Sequence, residues 1–291
     1  MATLTLRRPR HRWQRILRDT LRYTLVYGLL VTIGSVILLP LLWTVSSSLK
    51  PYGSGIKFPP QFIPERFVWE NYPKVLQTIP FMNFLKNSLI VTGLSTLGEL
   101  LSCSLVAYAF ARLRFPGRGV LFVILLGTMM IPYPVTMVPT FILFNLLKWV
   151  NTYLPLVIPP YFAPAYNVFL LRQFFLTINR ELDEAAEVDG ASKFRIYWQI
   201  MLPLAKPALA TVAIFSFMWY WNDFMGPLIY LSDIEKFTLA LGVNYLRGAR
   251  GGGDLSMQMA ASVMFIFPCI VLFFIAQRFI VQGIVTTGIK G

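Results

Sequence analysis

The chain has 291 residues, of which 56% are hydrophobic and only 13% are charged, and its formal net charge is +13. A soluble globular chain carries about 25% charged residues, so this composition excludes an ordinary soluble domain. Several runs are apolar over roughly 20 residues, the length that crosses a hydrocarbon core of about 30 Å. Cys103 and Cys269 both lie in apolar runs and are interpreted as small core hydrophobes, which excludes a disulfide framework. The predicted fold class is an all-α polytopic membrane protein.

Residues 1–22 form a basic segment that holds seven arginines. A positive charge of this size is also found in nucleic-acid-binding arms, but here it directly precedes an apolar run, Leu25–Trp43. That order favours a flank held in the cytoplasm, and we predict no nucleic-acid partner. The run is long and no convincing small-x-small cleavage site follows it, so we interpret it as a retained span. His11 lies among the arginines and indicates no metal or catalytic role.

The apolar runs predict six membrane-spanning helices within one domain, residues 23–291. The helices are predicted at Leu25–Trp43, Ser88–Ala111, Val120–Leu147, Tyr153–Leu171, Ala208–Leu231 and Met259–Val281. With the N-terminus inside, most of the 26 Lys and Arg residues fall in segments that face the cytoplasm. This distribution follows the positive-inside rule and places both termini in the cytoplasm.

Prolines interrupt the third and fourth predicted spans. They are Pro132, Pro134 and Pro139 in the third span, and Pro155, Pro159, Pro160 and Pro164 in the fourth. Each proline deletes a backbone donor, so the freed carbonyls need partners from neighbouring helices or water. Two interpretations stay open: the spans line a cavity or must bend, or the prolines make ordinary kinks in a bundle.

Two carboxylates, Glu99 and Asp223, fall at apparent membrane depth, where the cost of burial favours a functional role. Glu99 belongs to a polar stripe that must turn away from lipid and that also contains Thr92, Ser95, Thr96, Ser102 and Cys103. For Glu99, interhelical hydrogen bonding is favoured over a substrate role. Asp223 follows Tyr220, Trp221 and Asn222. Aromatic rings beside amide and carboxylate groups suit a sugar, although an interfacial aromatic belt is the alternative.

A polar loop, residues 172–206, separates the fourth and fifth predicted spans and carries five basic and five acidic residues. Its sequence predicts a short helix, a turn and a second short helix. Asn179 can cap the first helix, with Glu181 and Asp183 in its positive first turn. Gly190 is placed to end it in the left-handed conformation, and Ser192 can start the next. The return to the membrane is predicted at Pro203 and Pro207.

Helices this short are not stable alone in water, so the pair must dock on a surface. Ala185, Ala186, Gly190 and Ala191 permit a close approach, and Phe194 and Ile196 offer apolar anchors. Two surfaces are open at this point: the ends of the chain's own helices, or a partner protein.

The stretch EAA-x-x-DGAS at 184–192, followed by I-x-LP at 200–203, resembles the signature loop of permeases from binding-protein-dependent ABC importers. The resemblance implies a coupling helix that seats in a groove of the ATP-hydrolysing subunit. The residues that match are Glu184, Ala185, Ala186, Asp189, Gly190, Ala191, Ser192, Ile200, Leu202 and Pro203, and Phe194 joins them as an anchor. Ile178-Asn179 departs from relatives that carry a proline before the helix.

Three further stretches, residues 107–118, 221–229 and 259–268, resemble the carbohydrate-uptake branch and its maltose-type second permease. The ending GIVTTGIKG resembles this branch as well, and departs from it slightly at Thr286-Thr287. The resemblance implies a six-span subunit in a bacterial or archaeal inner membrane, carrying a sugar or polyol. It also implies three protein partners besides lipid: a homologous second permease, a dimer of ABC ATPases and an extracytoplasmic solute-binding protein.

The sequence carries no signature of an enzyme or of a nucleotide site. It lacks G-x-x-x-x-G-K-[ST], and GGGD at 251–254 has no lysine after it, so we predict a flexible loop there. We expect no cofactor and no metal in this chain, with ATP and Mg bound by the partner ATPase as the resemblance implies. A proton-coupled secondary carrier that uses Glu99 and Asp223 is the alternative function. For a membrane-bound enzyme we find no catalytic constellation.

Overall fold

The computed structural model describes residues 10–54, 61–248 and 254–288, and every regular element within these ranges is helical. The all-α prediction is therefore confirmed. The helices are α1 (Arg10–Ser48), α2 (Asn71–Thr78), α3 (Phe81–Arg112), α4 (Arg118–Thr128), α5 (Tyr133–Leu146), α6 (Leu154–Val157), α7 (Ala165–Thr177), α8 (Glu181–Val188), α9 (Lys193–Ile196), α10 (Leu202–Leu204), α11 (Lys206–Trp221), α12 (Met225–Tyr230), α13 (Leu239–Gly248) and α14 (Leu255–Gly288). Four parts of the sequence analysis fall outside the described residues. They are residues 1–9 of the basic segment, the side chain of His11, the glycines at 251–253 and the residues from 289 onward.

Four helical segments are long and apolar enough to cross a membrane: Ile16–Ser48, Phe81–Arg112, Leu154–Thr177 and Leu255–Gln277. Two more candidates are bent pairs, α4 with α5 at 96° and Lys193–Leu204 with α11 at 78°. The described chain thus has up to six spans when each bent pair counts as one. The fifth predicted helix, Ala208–Leu231, is too long, because α11 ends at Trp221 and a separate helix, α12, follows it. The third span is bent between α4 and α5, which is one of the two outcomes that its prolines left open.

Proline chemistry explains the two interrupted spans. Pro132 has extended backbone (ψ 137°) directly before α5, where the ring fixes φ and no N–H is required. In the fourth span, Pro159–Phe162 forms a 3-10 turn and Ala163 adopts φ 55° before α7 begins. These prolines therefore break helices and do more than kink them. Pro139 behaves differently, because it lies inside the continuous helix α5.

Helix α3 lies at the centre of the bundle and packs against α7, α11, α13 and the 3-10 turn, while α1 runs along α14. One buried cluster surrounds the end of α3 that contains Cys103, Tyr108 and Ala111. A second cluster, at the opposite end of α3, joins Phe84 to Trp221 of α11. Cys103 is fully buried and Cys269 packs beside the second cluster, and both are free thiols, which confirms the interpretation of the cysteines.

Large apolar side chains remain exposed along α1, α4 and α5, including Leu29, Ile37, Val123 and Val135. A water-soluble monomer rarely leaves so much contiguous apolar surface uncovered. Lipid tails or another membrane subunit are the surroundings that such a surface requires.

Candidate functional site

The first helix of the polar loop, α8, begins as the sequence chemistry dictates but one residue later than predicted. The cap position belongs to Arg180, and Oδ1 of Asn179 accepts the backbone N–H of Glu181 at 3.2 Å. Asn179 therefore supplies the capping oxygen from the position before the cap. Glu181, Asp183 and Glu184 occupy the first turn, where negative charge offsets the exposed N–H groups.

Gly190 ends α8 in the left-handed conformation, with φ 80°. Its N–H donates to the carbonyl of Glu187 at 3.0 Å, and the N–H of Ala191 donates to Ala186 at 2.9 Å. A Cβ at position 190 would meet no atom within 4 Å, so backbone conformation, and not space, requires glycine here. Oγ of Ser192 then accepts the N–H of Arg195 at 3.2 Å and caps α9. The predicted turn and second start are both confirmed.

The second helix of the loop runs without a gap from Lys193 to Leu204, through a π turn over Tyr197–Met201. An ion pair between Lys193 and Glu187 links it to α8. The 78° bend toward α11 follows directly, at Ala205, between the predicted prolines. Pro207 lies in the first turn of α11, where its missing N–H costs nothing.

One face of this loop packs on the chain itself. Ile196, Tyr197, Met201 and Ala205 are buried in the cluster at the end of α3. The hydroxyl of Tyr197 lies 2.8 Å from Oγ of Ser104 on α3, so the two groups share a hydrogen bond. Docking on the chain's own helix ends, which the sequence left open, is therefore confirmed for this face.

A buried ion pair joins the loop to α3 at its last residue. Nη1 of Arg112 lies 3.2 Å from Oδ2 of Asp183, and the two side chains are 3% and 13% exposed. Burial raises the pKa of the Asp183 carboxyl above its ordinary value, and the positive charge of Arg112 opposes that shift. The sequence analysis placed Asp183 only as a helix-end acid and did not single out Arg112.

The other face of the loop is exposed and presents three large apolar side chains among charged ones. Val188 is 88% exposed, Phe194 64% and Trp198 56%. Short helices that present large apolar side chains in this way need a covering surface. Val188 of α8 and Trp198 of the π turn were missed by sequence reasoning, since the sequence of short helices does not reveal which of their faces the chain covers.

The predicted coupling residues fall mainly on the uncovered side of the loop. Exposed are Glu184, Ala185, Asp189, Gly190, Ser192, Phe194 and Pro203, whereas Ala186, Ala191, Ile200 and Leu202 are half-buried. A cavity of about 560 Å³ opens beside them. Its lining is largely charged and consists of Tyr108, Arg112, Leu113, Arg114, Phe115, Arg180, Asp183, Glu184, Glu187 and Lys193.

Glu99 is buried and hydrogen-bonded to two other helices. Oε1 accepts Nδ2 of Asn167 on α7 at 2.8 Å, and Oε2 accepts the hydroxyl of Tyr220 on α11 at 2.9 Å. Asn167 also donates to Oγ of Ser216, over 3.4 Å. The favoured interpretation of Glu99, interhelical hydrogen bonding, is confirmed, and in this conformation the carboxylate is 4% exposed.

Two serines of the polar stripe on α3 donate hydrogen bonds to the interrupted fourth span. Oγ of Ser95 donates to the carbonyl of Leu156 at 3.2 Å, and Oγ of Ser102 donates to the carbonyl of Pro160 at 3.1 Å. These carbonyls lie where prolines prevent a regular helix, so side-chain donors replace the missing backbone donors. Among the described residues, the hydroxyls of Thr92 and Thr96 find no partner.

The residues at the end of α11 that were predicted to face a solute differ in their exposure. Trp221 is 1% exposed, stacks between Phe217 and Phe265, and donates from Nε1 to the Phe265 carbonyl at 3.2 Å. Its ring is thus covered by the chain's own aromatic residues, which corrects the expectation that it faces a solute. Asn222 is exposed and bonds back to the Met218 carbonyl.

Asp223 is half-buried and holds the break between α11 and α12. Its Oδ1 accepts the N–H of Gly226 at 3.0 Å. A Cβ on Gly226 would collide with Oδ2 of Asp223, so glycine permits this close approach. Asp223 therefore has a local structural partner whatever else it contacts.

Comparisons with known proteins agree with this architecture. Residues 100–286 match the family described as the binding-protein-dependent transport system inner membrane component. The chain belongs to this family. It is 38% identical over 70% of its length to the arabinooligosaccharides transport system permease protein of Halalkalibacterium halodurans, of which the match covers 73%. It is also 32% identical over 93% of its length to the trehalose/maltose transport system permease protein of Thermococcus litoralis, and this match covers 100% of that protein.

The fold agrees with a solved bacterial ABC transporter that imports the acidic polysaccharide alginate. The match has a TM-score of 0.75 and 24% identity and covers 94% of this chain and 99% of the other. The chain is thus a permease subunit of an ABC importer and not an enzyme, and the comparisons do not support the proton-coupled carrier. In such an importer a separate ATPase binds the nucleotide. Among the described residues no group of three or more His, Cys, Asp or Glu side chains could hold a metal.

Proposed function

We propose that this permease forms half of the translocation path for a sugar or related polyol and is driven through its polar loop by a separate ATPase. The observation that carries the proposal is the two-faced loop. Its inner face is fixed to α3 by buried residues, while Val188, Phe194 and Trp198 stay uncovered. A rigid, apolar projection of this kind fits a groove on a partner and moves with it as one body.

The orientation follows from charge. The arginine-rich segment 1–22 and the polar loop face the cytoplasm, where an ATPase has access to ATP, and both termini are on that side. The remaining partners are a homologous second permease, whose contact covers exposed apolar helices, and a solute-binding protein on the opposite side. Lipid covers the rest.

The substrate class rests on relatives. Besides the two described above, a 35% identical relative in Rhizobium meliloti is an alpha-glucoside transport system permease protein. A carbohydrate or polyol is the shared chemistry. Asn222 and Asp223, at the break after α11, are the proposed contacts for its hydroxyls, since amide and carboxylate groups accept and donate there. Tyr220 and Glu99 support this region from behind.

The test is the capture of the ATPase by the complete transporter, in which this chain is expressed together with the second permease and the ATPase. Phe194→Asp places a charge in the proposed apolar contact and should abolish co-purification of the ATPase. Tyr52→Asp is the matched control, because Tyr52 is an aromatic residue 82% exposed outside the polar loop. Unchanged capture by Phe194→Asp would refute the proposed coupling surface. Uptake of a panel of labelled arabino-oligosaccharides, α-glucosides, trehalose and maltose then identifies the solute.

A further inference from the structure

Arg112 connects three separate elements through one guanidinium group. It is the last residue of α3, and its Nη1 pairs with Asp183 in the first turn of α8. Its Nη2 donates to the carbonyls of Phe175 at 2.6 Å and Ile178 at 2.5 Å, at the end of α7. These carbonyls lie at the negative end of α7, where a cation is favoured. One side chain thus joins the ends of two spans to the first helix of the polar loop.

Tyr108 makes the equivalent connection to the second helix of the loop. It precedes Arg112 by one helical turn and lies on the same side of α3. Its hydroxyl donates to the carbonyl of Lys193, the first residue of α9, at 3.1 Å. A single turn of α3 therefore holds both α8 and α9.

The surroundings make these two connections important for the transmission of movement. The charged cavity of about 560 Å³ is lined by Tyr108 and Arg112 of α3 and by Asp183, Glu184 and Glu187 of α8, so it lies where the two helices meet. Helices α7 and α11 adjoin the loop in the chain itself, whereas α3 has no covalent link to it. Helix α3 therefore needs side-chain contacts to move with the loop.

We infer that Arg112 and Tyr108 are positioning residues that transmit the movement of the polar loop to α3 during ATP-driven transport. The inference rests on the proposed coupling of this loop to the ATPase. Helix α3 carries Glu99, which is bonded to Tyr220 of α11. Movement that enters α3 at Arg112 thus reaches the break near Asp223 by a second route, besides the covalent one.

Arginine is required at this position because of its shape. Its planar fork presents several donors in fixed directions and can meet a carboxylate and two carbonyls at once. A lysine keeps the charge, but its single ammonium group cannot span these partners. Arg112→Lys therefore removes the connection with the smallest change in charge and volume.

The experiment uses the complete transporter in proteoliposomes, with its ATPase, second permease and solute-binding protein. The probe is the first sugar of the panel that the wild type takes up, and the readout is sugar transported per ATP hydrolysed. For Arg112→Lys and Asp183→Asn we expect normal capture of the ATPase and continued hydrolysis, with uptake per ATP lower by about tenfold. The control is Arg114→Lys, since Arg114 lines the same cavity and pairs with none of the described residues.

Each outcome decides the inference separately from the proposed function. Normal uptake per ATP in both variants overturns it. Loss of ATPase capture or of the assembled transporter in both variants also overturns it, because the pair would then serve the structure alone. If Phe194→Asp leaves ATPase capture intact, the proposed function fails, whatever Arg112→Lys does. The inference stands when assembly survives, uptake per ATP falls, and Arg114→Lys behaves as the wild type.

Discussion

The hydroxyl of Tyr220 donates a hydrogen bond to Oε2 of Glu99 over 2.9 Å and so joins α11 to α3 within the bundle. The other carboxylate oxygen accepts Asn167 on α7. A single buried carboxyl group is therefore the meeting point of three helices. Its replacement tests whether it serves as a hydrogen-bonding centre or as a charge.

Glu99→Gln should be tolerated and Glu99→Leu should not. Glutamine can accept from Asn167 and donate to the Tyr220 oxygen, since a phenol also accepts. Leucine leaves two buried donors unpaired, at a cost of about 1–3 kcal/mol each in the free energy of unfolding. The measurement is the thermal unfolding midpoint of the purified transporter in detergent. Equal midpoints for the two variants would contradict the interhelical role.

Gly190→Val should leave the protein in the membrane but uncouple it from the ATPase. Valine at φ 80° is strained, because a left-handed residue costs about 1–2 kcal/mol and β-branching adds to that cost. Asparagine tolerates this conformation, and the space beside Gly190 is open, so Gly190→Asn is the matched control and should couple normally. ATPase capture and ATP-driven uptake are measured for both. Normal transport by Gly190→Val would argue strongly against the loop's proposed role.

Local chemistry explains which parts of the site were predictable. The turn at Gly190 and the cap at Ser192 follow from the preferences of single residues, so the sequence predicts them well. The pairing of Arg112 with Asp183 does not, because the two residues are far apart in the chain and meet only through packing. Trp221 shows the same limit: an aromatic ring at a helix end suits a solute or a core equally, and the packing of α14 decides between them.

The interrupted spans show a second limit. The prolines of the third and fourth predicted spans correctly indicate missing backbone donors, and Ser95 and Ser102 supply two of the replacements. The 96° bend between α4 and α5 cannot be read from the same prolines, because Pro139 sits in a continuous helix. Whether a proline interrupts a span depends on the neighbouring groups that bond, or do not bond, the carbonyl it frees.

Transport should require ATP and survive collapse of the proton gradient. The prediction follows from membership of an importer family whose energy comes from a separate ATPase, and from Glu99, whose two carboxylate oxygens both accept interhelical hydrogen bonds. Uptake is measured in vesicles that contain ATP, with and without an uncoupler. If uptake stopped with the uncoupler while ATP persisted, a proton-driven mechanism would replace the present one.

Asp223 should line the translocation path at the break that follows α11. Its Oδ1 already accepts the N–H of Gly226, so Asp223→Asn, which keeps an acceptor and the shape, should preserve the break and most of the uptake. Asp223→Leu removes every polar contact, and we expect uptake to fail while the ATPase is still captured. A cysteine introduced at position 223, with Cys103 and Cys269 replaced, should react with small water-soluble thiol reagents, and faster in the outward-open state. A cysteine inert in every state, together with normal uptake by Asp223→Leu, would leave Asp223 with its bond to Gly226 as its only role and place the sugar contacts elsewhere.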